Sequence, residues 1–155
     1  MTEKNRTQLV DNIRIAIQNL NNETDILKTA IELIDSFSED FNWTGVYMMR
    51  GNILEVGPYI GPETEHKKIE LNKGICGAAA SKKESIIVDN VHDDDRFLAC
   101  SLTTRSEIVV PLMDSNRCLG EIDIDSNHPS NFKKDDQKML EEIAEIIVKR
   151  LKIIK

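Results

Sequence analysis

The chain has 155 residues, 40% of them hydrophobic and 30% charged, long enough to bury roughly 70% of its unfolded surface in one packed domain and too apolar for a disordered chain. The formal net charge is −7, with Lys and Arg spread along the chain; such a surface repels phosphate backbones and anionic lipid, which excludes nucleic acid and membranes as partners. The Met1–Arg6 start is polar and no later run is long enough to span a bilayer, so a cytoplasmic protein is expected.

Leu9, Val10, Ile13, Ile17 and Leu20 recur at helical spacing, and after Asn21-Asn22 the set Ile26, Leu27, Ala30, Ile31, Ile34 and Phe37 does the same, which predicts two amphipathic helices within residues 1–40. Sheet and loops are expected over 42–126. Thr44–Met49 and Ile53–Tyr59 read as two strands joined by a tight turn at Arg50-Gly51-Asn52, since Gly and Asn tolerate positive φ. Gly57-Pro-Tyr-Ile-Gly-Pro62 stops the second strand, and polar residues follow until Ile69-Glu-Leu71. Lys73-Gly-Ile-Cys-Gly77 then opens a short helix into Ala78-Ala-Ala80. Ser85–Val88 reads as a brief strand and Asp89–Arg105 as a long polar loop, which in a small domain marks a functional or mobile segment. Glu107–Met113 and Cys118–Ser126 flank Asp114-Ser-Asn116 and form a second antiparallel pair. The last helix spans about 134–155, striped by Met139, Leu140, Ile143, Ile147 and Leu151. This order suits an α+β fold, one antiparallel sheet with helices packed on one face.

Strict alternation in Gly120-Glu-Ile-Asp-Ile-Asp-Ser126 points Glu121, Asp123 and Asp125 to one face of a strand. Either that face is solvated, the usual place for isolated acids, or it binds a cation, an amino group or a metal; Asp is depleted from strands and like charges on neighbouring positions repel, which brings the second level with the first. One Asp-x-Asp does not make a metal site, and His66, His92 and His128 lack ligand spacing, so no metal is expected and the histidines are assigned to surface or loops. Three cysteines in a chain without a secretion signal are buried hydrophobes or redox thiols. Cys100 lies on the polar loop, where exposure favours reactivity and nearby acids oppose it unless Arg96, Arg105 or local amides offset them. Cys76 sits at a helix start, where amide dipoles stabilise a thiolate, or else simply packs that helix. Cys118, at the head of an apolar strand, reads as core filler, out of phase with the carboxylates provided that no bulge intervenes. Trp43 and Tyr47 serve as core or as the wall of a ligand pocket; spacing alone does not choose.

Taken in order, Asn42-Trp-Thr-Gly-Val-Tyr47, Gly57-Pro-Tyr-Ile-Gly61, Gly74-Ile-Cys-Gly77, Asn90-Val-His92, Ala99-Cys100, Ser106-Glu-Ile-Val-Val-Pro-Leu112 and Asp123-Ile-Asp-Ser126 resemble the free methionine-R-sulfoxide reductases. The resemblance implies a GAF fold, a central antiparallel sheet with flanking N- and C-terminal helices, and reduction of the R-sulfoxide of the free amino acid. It places the catalytic thiol at Cys100, a second active-site cysteine at Cys76, pocket carboxylates at Glu107, Asp123 and Asp125, and the aromatic wall at Trp43 and Tyr47. It implies no bound cofactor, with reducing equivalents supplied by thioredoxin. The chain departs from the family at His66, where a further cysteine is common, at Ser101, where Asp is common, and in Asp93–Leu98, which lacks a common Gly. Resolution therefore falls to Cys76 or an external thiol, and a weakened redox cycle is expected.

Chemically, a thiolate must attack sulfur while an acid protonates the departing oxygen. Clustered carboxylates raise one another's pKa, so one of Glu107, Asp123 and Asp125 can hold that proton while others bind the substrate ammonium. A GAF module that binds a small molecule without catalysis is the competing expectation, and an interaction subunit is a third. Amphipathic helices at both ends suit a homodimer, although the same stripes also suit packing on the sheet.

Overall fold

A computed structural model of the chain describes residues 2–97 and 103–154. Helix α1 (Glu3–Ile17) is capped by the Thr2 hydroxyl, which accepts from the Asn5 amide, and α2 (Glu23–Asp35) by Asn22, which accepts from Asp25. Then come β1 (Trp43–Arg50), β2 (Ile53–Ile60), β3 (Lys68–Glu70), α3 (Gly74–Lys82), β4 (Ile86–Val88), β5 (Ser106–Asp114), β6 (Arg117–Ser126) and α4 (Lys134–Ile153). The six strands form one antiparallel sheet in the order β3-β2-β1-β6-β5-β4. In the β1–β2 turn Arg50 pairs with Ile53, and Gly51 alone takes positive φ, at 65°, the position a primed hairpin turn reserves for glycine.

The sheet is covered on both faces, which corrects the expectation of helices on one face. Helices α2 and α4 pack against a face formed by Val46, Met48, Ile108, Val110, Leu112, Ile122 and Ile124, and α1 packs on α2 and α4. On the opposite face α3 packs with Trp43, Tyr47, Val109 and Cys118. Its run Gly74–Ala80 is buried throughout, so it has no polar side from which a sequence reading could tell which face it covers. Strand β3 was also missed, because three residues, Lys68–Glu70, are too few to show a period. A 3-10 turn at Val91–Asp93 interrupts the predicted long loop, capped by Asn90, which accepts from the His92 amide. Arg6 joins α1 to the start of α4 through Asp136, Nη2 to Oδ1 at 3.0 Å, with both side chains largely shielded. Among the described residues no helix is long and apolar enough to cross a membrane.

Candidate active site

The carboxylates of β6 are not on a solvated face. Glu121, Asp123 and Asp125 are 0%, 1% and 1% exposed, and Glu107 of β5 is 4% exposed. Cross-strand register explains the grouping, since residues directly opposite in an antiparallel pair share a face. Asp125 stands between Trp43 on β1 and Glu107 on β5, Asp123 between Gly45 and Val109, and Glu121 between Tyr47 and Pro111. Two aromatics, four acids and a glycine therefore share one patch of sheet, and α3 lowers Cys76 onto it.

Cys76 Sγ–H donates to Asp123 Oδ2 at 3.3 Å, and one donor atom each from Cys76, Glu107 and Asp123 lie within 4.8 Å of one another. Among the described residues, both oxygens of Glu121, both of Asp125 and Oδ1 of Asp123 find no hydrogen-bond partner, and none of these three acids forms an ion pair. Ionised carboxylates left so in a low-dielectric interior carry a large desolvation penalty, so they keep protons or await a cation. Burial pushes Glu121 well above the usual carboxylate range, with the Asp123 charge adding to it. Asp125 is pushed well up by burial and then by Asp123, and Asp123 is raised by burial against the lowering effect of hydrogen bonds from Glu107 and Cys76.

The same environment overturns the expectation of a helix-stabilised thiolate at Cys76. Burial, then the charges of Asp123, Glu121 and Glu107, push this thiol well above its ordinary value. A helix N-terminus offers about half a positive charge, and full burial, with the neighbouring acids adding to it, outweighs it.

Trp43 and Tyr47 stack at a ring separation of 6.1 Å, and Tyr59 of β2 stacks on Trp43 at 5.2 Å. The Trp43 indole donates to the Pro62 carbonyl at 3.1 Å, and the Tyr47 hydroxyl to the His66 carbonyl at 2.9 Å. Gly45 is required beneath this wall, because a Cβ there would lie 2.5 Å from Trp43 Cη2 and 2.7 Å from Tyr59 Cβ. Both rings are buried and both border the acid patch.

A profile of the GAF domain matches residues 22–151. Free methionine-R-sulfoxide reductase of Saccharomyces cerevisiae is 37% identical over 135 residues, covering 84% of this chain and 73% of the yeast protein. The chain belongs to the free methionine-R-sulfoxide reductase family of GAF-domain proteins. Among solved structures, the free methionine-R-sulfoxide reductase of Neisseria meningitidis in complex with its substrate superposes with a TM-score of 0.92 at 28% identity, covering 98% of this chain and 92% of that one. The substrate complex of the Staphylococcus aureus protein gives 0.88 at 32% identity, covering 94% and 95%.

Of the residues that resemblance to these reductases singles out, Cys76, Glu107, Asp123, Asp125, Trp43 and Tyr47 come together on one face. Cys100 lies outside the described residues. The chain on either side of it is held near the patch: Phe97 packs against the cluster that contains Trp43 and Cys76, and the Arg105 amide donates to the carbonyl of Ser126 at 2.8 Å. Arg96, one candidate for offsetting acids near that thiol, is held by Asp94 at 2.7 Å, and Arg105 Nη1 lies 2.8 Å from His92 Nε2. His66 sits half-buried in the β2–β3 loop, beside the aromatic wall through its backbone. Cys118 is buried as expected, but β5 and β6 shift register so that Leu112 faces Gly120 and Met113 faces Cys118. The extra residue, Leu119, turns Cys118 onto the carboxylate face. There it borders a separate cleft of about 700 Å³ lined in part by Met49, Leu71, Ala80 and Lys83, which contains none of the four buried acids.

Two residues of the patch were absent from the assigned site. Glu121 shares its face with Asp123 and Asp125 by alternation alone, a signal present in the sequence. Tyr59 emerges only from the hairpin register that sets it opposite Gly45.

Proposed function

We propose that this chain reduces free methionine-R-sulfoxide to methionine by a thiol and disulfide cycle. The observation that carries the reading is the buried acid cluster beside Cys76 and the aromatic pair, in which Glu121, Asp123 and Asp125 form no ion pair with a described residue. The substrate ammonium supplies the positive charge that Asp125 and Asp123 do not find among the described residues, beside Glu107, and Trp43 and Tyr47 cover its methyl-bearing end. The Cys100 thiolate attacks the sulfoxide sulfur while an acid of the cluster protonates its oxygen; the hydroxyl then passes to the Cys100 sulfur as the new sulfur–sulfur bond breaks, so methionine leaves reduced and Cys100 is left as a sulfenic acid. The Cys76 thiol then condenses with it, forming a disulfide and releasing water, or an external thiol does so. Thioredoxin returns the disulfide to two thiols. Electrons come from thiols throughout, so the cycle needs no resident cofactor.

The raised acids support the proton-donor step, because a carboxyl held protonated near neutral pH is the form that step requires. We further propose a homodimer. Helices α1 and α4 pack on each other, and leave Ile15 at 65% and Ile153 at 69% exposure. Light scattering on the purified chain reads the mass directly, and a monomer at micromolar concentration removes that part of the proposal.

The deciding assay follows NADPH consumption with thioredoxin, thioredoxin reductase and racemic free methionine sulfoxide. Turnover that halts near half of the racemate and is lost in Cys100→Ser is the expected result, and Cys76→Ser then reports whether Cys76 resolves. Absence of turnover with both thioredoxin and dithiothreitol rejects the reductase and leaves a ligand-binding GAF module.

A further inference from the structure

The acid patch gathers possible ligand atoms from three elements. Cys76 contributes sulfur from α3, Glu107 an oxygen from β5 and Asp123 an oxygen from β6, all within 4.8 Å of one another. Glu121, fully buried against Cys76 and Asp123, has both oxygens without partners. The geometry points to a site for one divalent cation of the zinc class, held by Cys76 Sγ, Glu107 and Asp123, with Glu121 available as a further oxygen donor.

The distances choose the class of metal. On a tetrahedral zinc, sulfur at about 2.3 Å and oxygen at about 2.0 Å stand roughly 3.5 Å apart. Cys76 Sγ and Asp123 Oδ2 are 3.3 Å apart already, so one ion bridges them with little movement. A thiolate donor disfavours magnesium and calcium, which take oxygen alone, and favours zinc, cobalt(II) or cadmium. The sequence expectation of no metal weighed Asp123 and Asp125 by themselves; the donors that change the balance come from two other elements, and only folding brings them to β6. Metal binding exchanges the thiol proton for the ion, so the complex forms with release of a proton and tightens as pH rises. Such an ion sequesters Cys76 as a thiolate and occupies the position assigned above to the substrate ammonium, and this last consequence alone rests on the reductase reading.

The test is titration of the reduced chain with cobalt(II), followed by its thiolate charge-transfer absorption, and then displacement by zinc with calorimetry for stoichiometry. One ion per chain is expected, with a charge-transfer band that persists in Cys100→Ser and Cys118→Ser and is lost in Cys76→Ser. Glu121→Gln, which leaves the three primary donors in place, is expected to weaken binding by about 10–100-fold. Asp123→Asn serves as a second ligand variant should Cys76→Ser melt abnormally, and it too should abolish tight binding. Absence of the band in the reduced parent, or a band that survives in Cys76→Ser, overturns the site. Binding of free methionine sulfoxide to metal-free protein, read by the fluorescence of Trp43, tests the reductase assignment separately, so one can fail without the other.

Discussion

Replacing Glu121 by glutamine keeps the shape of the side chain and removes one ionisable group from the centre of the sheet. The carboxyl is fully buried, both oxygens lack partners, and its pKa in the folded chain stands well above the usual value because of burial and of Asp123. In the unfolded chain it titrates near 4.3. Between that value and the folded one the native state binds a proton that the unfolded state has lost, so unfolding releases it and stability falls as pH rises. For one proton the slope is about 1.4 kcal/mol per pH unit, or roughly 3–6 °C of melting temperature in a domain of this size. Parent and Glu121→Gln should therefore converge near pH 4 to 5 and separate steadily above it, with the variant the more stable at pH 7 to 8. Thermal melts by circular dichroism across pH 4–8, both proteins fully reduced and metal-free, measure the difference. Parallel curves, or a variant that loses ground as pH rises, refute the claim that Glu121 is held protonated by its surroundings.

Three further outcomes follow from the same geometry. Gly45→Ala places a methyl group 2.5 Å from the Trp43 ring, which should lower stability by about 1–3 kcal/mol through forced repacking and shift the emission of the chain's single tryptophan. Tyr47→Phe removes the hydroxyl that donates to the His66 carbonyl and should cost about 1 kcal/mol, read as a lower urea midpoint with an unchanged slope. Cys76, raised by burial and by Asp123, Glu121 and Glu107, should react with iodoacetamide at pH 8 far more slowly in the native chain than after denaturation. Peptide mass spectrometry quantifies this, and equal rates would contradict the raised thiol.

Much of the site was legible before folding was considered. Period-two alternation through Gly120–Ser126 put three acids on one face, and helical stripes located α1, α2 and α4, because those signals lie within single elements and repeat several times. Short or uniformly buried elements said less: β3, three residues long, escaped, and α3 was located from Lys73–Ala80 but, buried over Gly74–Ala80, showed no polar side to tell which face of the sheet it covers. The thiol at Cys76 was misread for a related reason. Its helix start is local and visible in Gly74-Ile-Cys-Gly77, whereas the burial that raises it most comes from packing, and the acids that add to it arrive from β5 and β6, about 31 to 47 positions along the chain.

Fold class, the order of most elements and the family are readable in the chain alone, since propensity, periodicity and ordered motifs are properties of neighbouring residues. Packing and register set the rest: the carboxylates are buried, with both oxygens of Glu121 and of Asp125 unpartnered among the described residues, Gly45 makes room for the Trp43 and Tyr59 stack, and Leu119 turns Cys118 onto the face of the acids. Each of those depends on which strand lies beside which, and in what register. A one-residue shift in pairing sends every side chain of a strand to the other face, so the chemistry of this patch is a property of the assembled sheet.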